Sequence, residues 1–141
     1  MSERAGVKLL GNCQNCGRPC EGWAVQLIRD HRLRWESEWT CNACGIVSDD
    51  GDWGPAPAEL QEQLLIQNGT YRLRLTDKES VGGGILKVFR RVFNGSIKDS
   101  LEAANKLRQD GYMGTYVETN LLSQLLRQEG VLSVVDRVAT G

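Results

Sequence analysis

Histidine occurs once in these 141 residues and proline three times. The single imidazole, His31, lies in a predicted hairpin turn and no Ser/His/Asp or Cys/His arrangement is supported, so enzymatic activity is not expected. Long hydrophobic runs are missing as well, which excludes a membrane-spanning helix. The opening Met1-Ser-Glu-Arg-Ala-Gly6 lacks the apolar stretch of a signal peptide, so a cytoplasmic location without a membrane partner is expected. An excess of one charge sign is also lacking. Seventeen Lys and Arg face 18 Asp and Glu, a net charge of −1, which leaves no long-range positive field to gather nucleic acid. With 40% apolar and 25% charged residues the composition is that of an ordinary globular chain, and no repeat or low-complexity tract interrupts it. Cysteine is absent after Cys44, yet five cysteines lie between Cys13 and Cys44, so they serve one local device and not a disulfide framework.

That device is written twice, as Cys13-Gln-Asn-Cys16-Gly17 and Cys41-Asn-Ala-Cys44-Gly45. Two thiolates three positions apart can reach one ion from a tight turn, and the following glycine supplies the backbone angles the turn needs. Four such sulfurs, from Cys13, Cys16, Cys41 and Cys44, predict one closed, structural Zn2+ site with no open position for a substrate. A redox dithiol or a disulfide pair is the alternative. Between the two turns, Trp23–Arg29 and Leu33–Trp39 alternate as strands around a turn at Asp30-His31-Arg32, with Leu33, Trp35, Ser37 and Trp39 on one face. Turn, strand, turn, strand, turn resembles a zinc ribbon, spanning residues 1–53. Cys20 is a spare thiol or a substitute for Cys16. His31 is expected to face solvent, and the tryptophans are expected to form a miniature core, a stacking face or the contact with the second domain.

Ser48–Pro57 holds two of the prolines with several aspartates and glycines, and reads as a linker or domain boundary. A linker with a short helix over 54–69 then leads into a second domain, 70–141. There the pattern predicts a strand at Thr70–Thr76, a helix opening at Gly82-Gly-Gly84 and running through Phe93, and a second from Ile97 to Gln109 capped by Ser96. A short extended piece follows at Tyr112–Val117, then a helix starting at Thr119 or Asn120, and a closing strand at Val131–Val138. The fold class expected is α+β: a small β zinc ribbon followed by a βααβαβ two-layer sandwich. Gly82-Gly-Gly84 lacks the Lys-Ser/Thr ending of a P-loop, and no small-molecule substrate is expected.

Ile85-Leu-Lys-Val-Phe-Arg-Arg91, followed by Gly95-Ser-Ile-Lys-Asp-Ser-Leu-Glu-Ala-Ala104, is similar to the helix, glycine turn and second helix of the C-terminal domain of the bacterial ribosomal stalk protein, whose fold is shared by the ClpS adaptor of the Clp protease. The resemblance covers about Tyr71 to Val135. It implies a protein partner, either a ribosome or translation factor or a protease component, met by the positions matching the stalk protein's basic residues: Lys87, Arg90, Arg91 and Lys98. Of the ClpS acidic pair only Asp77 is matched, and the histidine is missing, so recognition of a substrate amino terminus is not implied. The expectation is a non-enzymatic zinc-binding adaptor in translation or regulated proteolysis. The alternative is a nucleic-acid-binding regulator using Arg32, Arg34 and the tryptophans.

Overall fold

The computed structural model describes residues 3–77 and 83–138; Gly82 of the glycine run lies outside them. The first sheet is an antiparallel meander of four strands in sequence order, β1 (Arg4–Asn12), β2 (Pro19–Arg29), β3 (Arg32–Thr40) and β4 (Val47–Trp53). β2 and β3 are joined through Asp30 and His31, both left-handed at φ 54° and 58°, the geometry of a two-residue hairpin whose twist matches its strands. His31 is exposed there.

The outer two strands depart from the sequence reading. Ser48–Trp53, expected as linker, is most of β4. Its run of aspartates hides a strand because β4 is an edge strand: β3 supplies its backbone partners, and charge on an open edge keeps other chains from pairing with it. The segment before Cys13, where no strand is expected, is β1, aligned with β2 from Arg4↔Leu27 to Asn12↔Pro19.

Helix α1 (Ala58–Asn68) lies on one face of this sheet, burying Leu60 and Leu64 against Val7 and Ala24. Its last turn also closes the free edge of β1. The Gln67 amide donates from Nε2 to the Lys8 carbonyl at 2.7 Å and accepts the Lys8 N–H at 3.0 Å, standing in for a neighbouring strand.

The second sheet has the order β6-β5-β7, antiparallel, from β5 (Tyr71–Leu75), β6 (Tyr112–Gly114) and β7 (Ser133–Arg137). Helices α2 (Gly84–Phe93), α3 (Ile97–Gln109) and α4 (Tyr116–Gln128) complete the chain. The chain is therefore α+β, with the strand and helix order over Tyr71–Arg137 that the sequence pattern predicts. Ile85, Val88, Phe89 and Val92 of α2 are buried as its periodicity requires. Ser96 caps α3 by accepting the Asp99 N–H.

Helix α4 begins at Tyr116, earlier than the expected Thr119 or Asn120. Thr115 is its cap: the Thr115 hydroxyl accepts the Glu118 N–H at 3.1 Å and the Glu118 carboxylate accepts the Thr115 N–H at 2.8 Å. This reciprocal box overrides the β-branched, extended look of Tyr112–Val117. The helix packs against both sheets. Ile28 and Leu33 of the first sheet share one buried cluster with Leu73, Phe89, Leu121 and Leu125. Around it, Thr115 donates to the Gln26 amide oxygen at 2.5 Å, Gln61 donates to Glu118 at 2.9 Å and Tyr116 donates to Glu3 at 2.6 Å. Among the described residues no helix is long and apolar enough to cross a membrane.

Candidate metal centre

A four-stranded meander puts its first and third connections at the same end, and β2 and β3 are neighbours, so the two Cys-x-x-Cys turns are brought side by side. Each turn repeats the other's hydrogen bonds. Cys13 N–H donates to the Arg18 carbonyl and Gly17 N–H to the Cys13 carbonyl, both at 2.8 Å. In the second turn Cys41 N–H donates to the Ile46 carbonyl at 2.9 Å and Gly45 N–H to the Cys41 carbonyl at 2.8 Å. Gly17 and Gly45 both take left-handed backbone, φ 75° and 77°, a conformation costly for any residue with a Cβ.

All four sulfurs lie within 4.8 Å of one another. Between the turns, Cys13 lies 3.7 Å from Cys44 and Cys16 lies 3.6 Å from Cys41. Four sulfurs at the usual zinc–thiolate bond of about 2.3 Å in a tetrahedron stand roughly 3.8 Å apart, so this spacing suits a four-thiolate ion. Cys13 and Cys41, the first ligand of each turn, are buried, and Cys16 and Cys44 are exposed. The arrangement can hold a single metal ion. Cys20 is not in the cluster; it sits on β2 opposite Gly11, half-buried.

The electrostatics of the sulfurs are uneven. The backbone N–H of Cys44, aided by that of Ala43, draws the Cys41 thiol below its usual pKa. At Cys16 the Arg18 N–H acts the same way but is outweighed by desolvation and the three neighbouring thiols, which push it up to about 12. Burial, then the charges of Cys13, Cys41 and Cys44, raise Cys20. Such crowding disfavours a cluster of bare thiolates, and a bound cation removes the penalty.

The residues expected to meet a partner lie elsewhere. Lys87, Arg90 and Arg91 are exposed on α2, and Lys98 on the first turn of α3. Lys87 is paired with Glu129 at 3.0 Å; among the described residues Arg90, Arg91 and Lys98 form no ion pair. Arg32 and Arg34 are already engaged, their guanidinium carbons 4.3 and 5.0 Å from the centre of the Trp53 ring. The tryptophans do not share one face. Trp35 and Trp39 face α1's side of the sheet, whereas Trp23, aligned with Glu38, stands on the opposite face and is 64% exposed.

Comparison of the chain with protein-family models, with curated proteins and with solved structures finds no match.

Sequence reasoning missed the buried polar set of Gln26, Thr115 and Glu118. The Thr-x-x-Glu spacing at Thr115–Glu118 was the signal available for two of its members.

Proposed function

We propose that Cys13, Cys16, Cys41 and Cys44 bind one structural Zn2+ in a zinc-ribbon-like sheet, and that the chain is a non-enzymatic, cytoplasmic adaptor whose second domain docks a protein partner. The observation that carries this reading is the closed set of four mutually close sulfurs. Four thiolates fill a tetrahedral ion, so the metal would hold the end of the sheet together and leave no coordination position for water or substrate. The resemblance to the stalk protein and the ClpS adaptor supplies the partner class, a translation factor, ribosome or protease component. The strand-helix-helix-strand-helix-strand order over Tyr71–Arg137 agrees with that resemblance.

In this reading the exposed Arg90 and Arg91, with Lys87 and Lys98 beside them, meet an acidic surface of the partner. The test is capture of partners from the source cell's extract by the wild-type chain and by an Arg90→Glu, Arg91→Glu variant. Loss of captured translation or protease components in a variant that keeps its metal and its circular dichroism supports the proposal. Equal capture removes this helix face from it. The nucleic-acid alternative is weaker, because Arg32 and Arg34 are stacked on Trp53 and Arg34 is bound at 2.8 Å to Glu36.

A further inference from the structure

The face of the first sheet that carries Trp35 and Trp39 is only partly covered by α1. Past the helix, two adjoining cavities of about 820 and 660 Å³ run towards the cysteine turns, sharing Leu10, Ser37, Trp39, Asp50 and Glu59 along their walls. The floor is aromatic. The Trp39 ring lies over Gly11 and Gly22, where an added Cβ would come within 3.1 and 2.8 Å of it, and Trp35 stands half-buried four residues earlier on the same strand.

The walls carry an excess of negative charge. Asp50 comes from β4 and Glu59 and Glu62 from α1, all exposed, and among the described residues none of the three is in an ion pair. Among the described residues the one cationic residue along these walls is Lys8, and its ammonium is held 3.3 Å from Glu21, on the neighbouring strand β2. Leu10 and Ile46, 75% and 43% exposed, form an apolar lip at the cysteine end.

Indole faces attract cations, and unpaired carboxylates on both rims reinforce that attraction while repelling phosphate. Each cavity is larger than one side chain fills, and the lip offers apolar area to a backbone-bearing ligand. We infer that this groove binds a peptide segment of a partner protein bearing arginine or lysine, with the cationic side chain set over Trp39 between Asp50 and Glu59. The site is distinct from the α2 face, and its assignment does not depend on the adaptor reading above.

Selection of a displayed random-peptide library on the full-length, metal-loaded chain tests it. Enriched peptides are expected to carry Arg or Lys, and to bind an Asp50→Asn, Glu59→Gln, Glu62→Gln variant about tenfold or more weakly, with affinity falling as salt rises. Asp50→Asn retains a side-chain oxygen able to accept the Gly51 N–H, the bond that Asp50 makes within β4, so the variant preserves the local shape of that strand. Arg90→Glu, Arg91→Glu should leave peptide binding unchanged, which separates the fate of this site from that of the α2 face. Selection of peptides without cations, selection of none, or equal affinity for the groove variant overturns the inference. So does a concentration-dependent dimer in sedimentation that the same three substitutions abolish, since a second copy would then be the occupant.

Discussion

Replacing Leu33 by Ala tests whether the two sheets fold as one body. Leu33 is 2% exposed and lies opposite Ile28 on the hairpin, in the same buried cluster as Leu121 and Leu125 of α4. The substitution removes three carbons, about 2–2.5 kcal/mol of transfer free energy at roughly 0.8 kcal/mol per methylene. A sheet on one side and a helix on the other cannot both close in. A residual void of about 50 Å³ then adds roughly 1 kcal/mol. The expected loss is about 3–4 kcal/mol in denaturant unfolding of the full chain. More telling is where it is felt: native-state hydrogen exchange should show the α4 amides at Leu121 and Leu125 losing protection by the same amount as the β2 amides. Unchanged protection in α4, with loss confined to the sheet, or a total loss under about 1 kcal/mol, would refute the shared core.

Thr115→Ala should cost about 2–3 kcal/mol, combining a lost helix cap with the lost partner of the buried Gln26 oxygen, and thermal unfolding measures it. Gly22→Ala should destabilise by about 1–3 kcal/mol, because its Cβ would lie 2.8 Å from both the Glu38 carbonyl and Trp39, whereas Gly6→Ala, with 3.6 Å to its nearest neighbour, should be tolerated. Burial, helped by the nearby Glu118 charge, holds the Tyr112 hydroxyl protonated well above its usual pKa. The folded state then binds more protons than the unfolded one above the ordinary tyrosine value of about 10, so that stability contribution is complete below about pH 10 and is lost as pH rises further. Tyr112→Phe should flatten the alkaline decline in denaturation midpoint, and an unchanged slope would remove Tyr112 as its cause.

Much of this architecture is legible in the sequence because the patterns are local. The matched Cys-x-x-Cys-Gly turns, the alternation of Leu33–Trp39 and the helical period of Ile85–Val92 each fix their own element, and the structure keeps all of them. What escapes is set by partners distant in sequence. β4 reads as linker because its backbone bonds come from β3 and its side chains need bury little. β1 is recognisable as a strand chiefly through β2 on one edge and Gln67 of α1 on the other. The groove of Asp50, Glu59 and Trp39 joins three elements and has no signature in any one of them. At α4 the sequence did hold the answer, since Thr115 and Glu118 stand at capping-box spacing, but the β-branched residues around them favour an extended reading.

Native mass spectrometry of the chain purified without added metal tests the four sulfurs directly. One zinc per chain, with Cys13, Cys16, Cys41 and Cys44 reduced and with chelation opening the first sheet to hydrogen exchange, is the expected result. A metal-free chain with these cysteines joined as disulfides would contradict it, and would make this end of the molecule a redox device.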